Sequence, residues 1–214
     1  NEAESKSLLA LNGVPVPPSQ VVQSAEEAVF AAETVGYPVV VKALGIAHKT
    51  EERAVRLNLN SADEVTAALL EMGNLSEAYL IEKMVTDIVA ELIVGVARDE
   101  QFGPYLIVGG GGILVEMMKD STSLLLPTTR EHVLQALGQL KCAPLLNGFR
   151  GAPPADRNAA VDTILAVGDI VEKDPSLINE LDINPLLLLA RGKGVVAADA
   201  LISLNEKPLK EDRK

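Results

Sequence analysis

Between Ala78 and Met118 four strand-like runs, AYLIE, DIVAELIVGVAR, GPYLIVG and ILVEMM, follow one another with only turns between them. A chain with that texture has to build a sheet there and place its helices on either side. The preceding residues carry two helix-start signatures, Ser24 with Glu27 and Ser61 with Glu64, in which a hydroxyl and a carboxylate answer the first backbone N–H groups of a helix. Gly36 closes the first of these helices. The second shows a stripe of Val65, Ala68, Leu69 and Met72. Before them, NEAESKSLLALN reads as a short amphipathic helix ended by Gly13, with Leu8, Leu9 and Leu11 on or near its apolar side, and VPVPPSQVV as an extended lead into a strand. Pro38 opens the strand VVVKAL. AVRLNL alternates, placing Val55, Leu57 and Leu59 on one face and Arg56 and Asn58 on the other.

After the four runs a third signature, Thr128 with Glu131, opens a helix carrying Val133, Leu134, Leu137 and Leu140. NGFRGAPPADR is a loop by its Gly and Pro content, and Asp156 caps a helix that ends before Pro175. ELDINPLLLLA and GVVAADALISL form a hairpin turning through Arg191, Gly192, Lys193 and Gly194. The pattern predicts an α+β protein of two lobes: a small one over residues 1–80, a larger one over 81–207, and a frayed polar tail at 208–214. A small-molecule ligand is expected near IEKMV, because clefts between lobes are the usual sites.

Charge narrows the function classes. A net charge of −11 excludes a broad surface for nucleic acid backbone. It still permits a small anion held by a few local cations and N–H groups. The single cysteine, Cys142, excludes an internal disulfide and fits a reducing, cytoplasmic setting. No apolar run approaches the roughly 20 residues of a membrane span, no signal peptide is apparent, and the opening Asn1 is expected of a piece cut from a longer chain.

Two constellations can carry chemistry. Lys42 ends an apolar strand run, and Lys49, Arg53 and Arg56 follow on the loop and strand that fold back over it. Lys42 is either an outward lysine on an edge strand or one arm of a polyphosphate clamp. At the other end Glu180, Asp182 and Asn184 alternate along one strand and so share a face, while Asp199 sits inside the apolar VVAADAL. Two or three oxygen donors from neighbouring strands suit Mg²⁺, which keeps water and phosphate in its other positions; Asp199 as a cap and Asn184-Pro185 as a bend is the competing explanation. The four glycines at 109–112 do not fit the dinucleotide fingerprint, because Leu114 stands where its last glycine should be, and no GK[ST] follows. They are expected to form a tight, flexible connection between strands. Glu91 and Glu116 face either a cleft or solvent, and His132 is a surface residue.

Taken together, EAESKSLLALNGVPVP, GYPVVVKALGIAHKTE, AVRLNL, LIEKMV, ELIVGVARDEQFGP, GGILVEMMKD, INELDINPL and VVAADALISL resemble, in this order, the ATP-grasp domain of NDP-forming acyl-CoA synthetases. That family includes ADP-forming acetyl-CoA synthetase and, more remotely, the succinyl-CoA synthetase β subunit. The resemblance implies two lobes with ATP and Mg²⁺ between them. Lys42 would hold the α- and β-phosphates, with Lys49, Arg53 and Glu91 in the same nucleotide site. Glu82, Lys83, Met84 and Val85 would be the adenine hinge, Met84 and Val85 through their backbone and Glu82 through its side chain. Asn184 and Asp199, with Asp182 close behind, would be the metal ligands. His48, in HKT, would be either a phosphoryl relay or a loop histidine bonded to the backbone. The reaction implied is acyl-CoA + ADP + Pi = acid + CoA + ATP, with a phosphohistidine on a separate domain carrying the phosphoryl group. That domain and the CoA-binding domain are expected on a partner, an α subunit or the rest of a longer chain. The chain departs from the family at Glu51-Glu52-Arg53, where one or two glycines usually precede the AV strand; this leaves a ligand-sensing, non-catalytic module, such as one fused to a protein acetyltransferase, as the alternative. The reading requires the Lys42 ammonium and the Asn184 and Asp199 oxygens to meet in one crevice.

Overall fold

The computed structural model describes residues 1–46, 54–73, 75–112 and 119–205. Its residues fall into two compact units, the first made of Asn1–Ser7 and Val16–Thr86, the second of Leu8–Pro15 and Asp87–Lys214. Helix α1 (Glu2–Leu11) therefore begins in the first unit and ends in the second. The division after Thr86, rather than at residue 80, keeps the whole segment Glu82–Val85 with the first unit.

The first unit is a four-stranded antiparallel sheet with two capped helices. Its elements are β1 (Ser19–Val22), α2 (Ala25–Val35), β2 (Val39–Ala43), β3 (Val55–Leu59), α3 (Ala62–Met72) and β4 (Tyr79–Lys83), in sheet order β1-β4-β2-β3. Both expected helix starts form. Ser24 Oγ accepts the Glu27 N–H at 3.1 Å and Ser61 Oγ the Glu64 N–H at 3.2 Å. The returning carboxylates reach one residue further out, to Gln23 N–H at 2.9 Å and Asn60 N–H at 2.7 Å. Val39, Val41, Ala43, Tyr79 and Ile81 point to one side of the sheet and pack with Ala28, Ala31 and Ala32 of α2 and Val65, Ala68 and Met72 of α3. The opposite side carries Val40, Lys42, Leu80 and Glu82, as the period of two dictates.

Two expectations fail here for identifiable reasons. The alternation of AVRLNL breaks at Asn58, whose φ is 60°. Val39 pairs with Leu59 but Val41 with Arg56, so β3 bulges and Leu57 turns out to solvent. In α1 the inward face is not leucine-rich: Glu2, Ser5, Lys6 and Leu9 are buried, whereas Leu11 is exposed.

The second unit holds β5 (Ala90–Asp99), β6 (Gly103–Gly110), β7 (Ser121–Leu125), α4 (Arg130–Gln139), α5 (Ala143–Leu146), α6 (Arg157–Lys173), β8 (Ile178–Leu188), β9 (Val195–Ala197) and β10 (Ala200–Leu204). The sheet order is β10-β8-β5-β6-β7, with β9 also pairing β8. Helices α4 and α6 pack together, with α4 against β6 and β7 and α6 against β8 and β9. The expected hairpin forms, but its returning strand comes in two pieces interrupted at Ala198-Asp199. Strand β7 had no signal in STSLL, because only Leu124 of it is buried. The cap of α4 is Thr129 rather than Thr128: its backbone is extended, and its hydroxyl accepts the His132 N–H at 3.3 Å. The glycine run is a correction too. Gly109 and Gly110 lie inside β6, and the Gly111 N–H donates to Glu91 C=O at 2.8 Å, so the run continues the sheet instead of forming a flexible connection. The expected strand ILVEMM, with Glu116, and the tail at 208–214 lie outside the described residues. Among the described residues no helix is long and apolar enough to cross a membrane.

Candidate nucleotide and metal sites

Lys42 is neither an edge lysine nor an isolated cation. Strand β2 lies between β4 and β3, and the Lys42 side chain shares a face of that sheet with Glu82, diagonally across the β2–β4 pair. From α1, Glu2 and Lys6 point to the same place, since residues four apart stack on one face of a helix. The result is a buried quartet, with relative exposures of 4% for Glu2, 2% for Lys6, 6% for Lys42 and 2% for Glu82. Lys42 Nζ donates to Glu2 Oε1 at 2.8 Å and to Glu82 Oε1 at 3.0 Å. Lys6 Nζ lies 2.8 Å from Glu2 Oε1 and donates to Glu82 Oε2. Each lysine thus touches both carboxylates, and the four formal charges cancel. Burial, and then the neighbouring Lys42 ammonium, pull the Lys6 amine below the ordinary lysine value, while Glu82 and Glu2 pull it back up. Sequence reasoning found Lys42 and Glu82 but missed Glu2 and Lys6. The available signal was their spacing of four on a helix whose apolar stripe was incomplete.

The other hinge residues have partners of their own. Lys83 Nζ donates to the C=O groups of Gly36 and Tyr37 at 2.9 and 2.5 Å, placing a cation at the C-terminal end of α2. The backbone N–H of Lys83 donates to Pro18 C=O and that of Met84 to Pro38 C=O. His48, Lys49 and Arg53 lie outside the described residues.

In the second unit the strand face expected from alternation is present. Glu180 and Asn184 are exposed and Asp182 is half-buried on one side of β8, with Leu181 and Ile183 buried on the other. The break between β9 and β10 brings Asp199 back to this face: Asn184 N–H donates to Asp199 C=O at 3.1 Å. Burial first, then the charges of Glu180 and Asp199, raise the Asp182 carboxyl above the usual aspartate range. Opposite Asp182 stands Gly95, where a Cβ would come within 3.7 Å of Asp182 Oδ1. Glu91, four residues earlier on the same face of β5, is half-buried.

Two carboxylates and an amide oxygen could together take a hard cation, which would offset the repulsion among the acids. Among the described residues no three His, Cys, Asp or Glu side chains come together as a metal site by themselves. A metal held here would therefore need Asn184 and ligands from outside these side chains as well. Lys42 belongs to the first unit, and Asp182, Asn184 and Asp199 to the second.

Residues 1–204 match the family model for the ATP-grasp domain. The chain is 34% identical to the β subunit of an ADP-forming acetate–CoA ligase of Pyrococcus furiosus, over 95% of this chain and 90% of that one. It is 40% identical to a trans-feruloyl-CoA synthase of an unknown prokaryotic organism, covering 94% of this chain but about 30% of that protein's length. Among solved structures it is similar to acetyl-CoA synthetase 1 of Candidatus Korarchaeum cryptofilum, with 31% identity, a TM-score of 0.83, and coverage of 96% and 92% of the two chains; that protein was solved with coenzyme A and Mg-AMPPCP, its phosphohistidine segment pointing towards the nucleotide-binding site. The chain belongs to the ATP-grasp family, as a domain that matches the β subunits of ADP-forming acetyl-CoA synthetases over nearly its whole length.

Proposed function

We propose that the chain binds a magnesium nucleotide and exchanges a phosphoryl group between it and a histidine on a partner domain, within an NDP-forming acyl-CoA ligase. The observation that carries this reading is the gathering of Asp182, Asn184 and Asp199 at the broken end of the β8–β10 hairpin, in a chain of this family. In this reading Asn184 and Asp199 would hold Mg²⁺, with Asp182 beside them, and the bound ion would supply charge neutralisation at the phosphates. Lys42 holds the α- and β-phosphates as a point charge. Base contacts fall to the backbone after β4, around Met84 and Val85; the Glu82 carboxylate is occupied by the two lysines. Lys49, Arg53 and Glu91 are assigned to the same nucleotide, and His48 to the phosphoryl group. The partner is a CoA-binding and phosphohistidine domain, as an α subunit or as the rest of a longer chain.

Calorimetry with Mg-ADP and Mg-ATP tests the binding half. Wild type is expected to bind, Lys42→Ala to weaken binding at least about tenfold, and Asp199→Asn to weaken it only when Mg²⁺ is present. An absence of wild-type binding, or equal binding by Lys42→Ala, overturns the site. Binding without any phosphoryl exchange on the partner histidine would favour the ligand-sensing alternative, to which Arg53, in place of a glycine, already points.

A further inference from the structure

We infer that Lys6 is a positioning residue for the phosphate-binding lysine: by bridging Glu2 and Glu82 itself, it lets Lys42 leave the buried quartet for an anionic ligand without stranding a carboxylate. The inference rests on the reading of Lys42 given above and extends it to two residues of α1.

The geometry carries the idea. A lysine held in a simple buried pair cannot be lent to a phosphate, because its departure leaves a charged carboxylate desolvated and alone. Here each ammonium contacts both acids: Lys42 at 2.8 and 3.0 Å, Lys6 at 2.8 Å to Glu2 and in direct contact with Glu82. Taking Lys42 away leaves Glu2 and Glu82 still sharing Lys6. Lys6 is rooted in α1 and is 2% exposed, so it remains behind when the other cation moves. Lys42 comes instead from β2, where its backbone is in register with Leu80 and Val55, so only its side chain has to swing away. The two lysines are thus alike in their contacts but come from different elements, so one can stand in for the other at both acids. A quartet that served only to fasten α1 to the sheet would need one ion pair, not a fully cross-bridged set.

The two ideas differ in the sign of their effects on affinity. With Lys6→Met, both acids depend on Lys42 and hold it back, so Mg-ADP binding is expected to weaken by about tenfold or more. With Glu2→Gln, Lys42 loses one captor while Glu82 keeps Lys6, so binding is expected to tighten about threefold. Lys6→Arg, which bridges two carboxylates as well, is expected to keep wild-type affinity. A fastening role would lower the melting temperature of both variants and leave the dissociation constant of the folded fraction unmoved.

Calorimetry with Mg-ADP, with a thermal melt of each variant, reads all of these together. Weakening by Lys6→Met with tightening by Glu2→Gln supports the inference. Unchanged affinity in Lys6→Met, or weakened affinity in Glu2→Gln, overturns it. If Lys6→Met does not fold, the sign of the Glu2→Gln effect decides alone. Failure of the underlying reading looks different: wild type does not bind Mg-ADP at all, or Lys42→Ala binds as well as wild type.

Discussion

Asp156 answers three backbone donors with one carboxylate. Its Oδ1 accepts the Ala159 N–H at 3.2 Å, capping α6, while Oδ2 accepts the N–H groups of Gly192 and Gly194 at 2.9 Å each. One side chain thereby joins the start of a 17-residue helix to the turn between β8 and β9. Burial alone would raise the Asp156 carboxyl, but the Gly194, Ala159 and Gly192 donors, with Arg191 nearby, outweigh it and hold it below 3.8. Asp156→Ala is expected to lose about 2 kcal/mol or more of stability, since it removes a cap and leaves two further N–H groups without their acceptor. Because the folded value is lowered, this contribution is complete above the ordinary carboxyl value and vanishes as pH falls through the lowered one. Urea unfolding of both proteins at pH 7 and at pH 3 checks it, with the gap expected to narrow in acid. The cap itself was legible in the sequence, as an Asp ahead of a helical stripe. The second half of its role was not, because the turn lies about 36 residues further along the chain and no local pattern links the two.

The elements that sequence located well are those whose inward face is apolar. Helices α2 and α3 each carried a start signal, α2 with a closing glycine and α3 with an apolar stripe, and the structure places them as expected. Helix α1 was located but misread in facing, because pattern reading sends apolar side chains inward and this helix buries Glu2 and Lys6. Those charges become buriable only through partners some 40 and 76 residues away. The alternating acids of β8 were legible for the opposite reason: a polar face on an otherwise apolar strand stands out. The glycines at 109–112 were found but explained wrongly, since their need is close packing. A Cβ on Gly111 would lie 2.9 Å from Glu91 Cβ, and one on Gly109 would lie 2.8 Å from Asp120 C=O. Gly111→Ala is therefore expected to cost about 1–3 kcal/mol, and to weaken Mg-nucleotide binding if Glu91 serves that site. Chemical denaturation and calorimetry of this one variant measure both effects.

At the scale of the whole molecule the fold is two antiparallel sheets, and the charge is −11. Self-repulsion in such a chain is relieved by any salt, because at about 0.15 M the Debye length is only about 8 Å. A specific cation site is a separate effect. The raised Asp182 carboxyl means that ionising it costs the folded protein more than the unfolded chain, so its contribution to stability falls as pH rises through the raised value. A divalent ion bound there would offset that cost. At pH 7.5 and matched ionic strength, MgCl₂ is expected to raise the melting temperature beyond KCl in wild type, and the excess to disappear in Asp199→Asn. Equal melting in the two salts would remove the ion from this site.

The quartet of Glu2, Lys6, Lys42 and Glu82 has a consequence at this scale as well. Being neutral as a group, it exerts almost no attraction beyond contact range, so long-range capture of an anion would fall to charges outside it. A bare nucleotide tetra-anion would be repelled by the net charge of −11 about twice as strongly as one half-neutralised by its metal. In the proposed site such a difference would favour the metal-bound form during approach and leave Lys42 only the short-range contact.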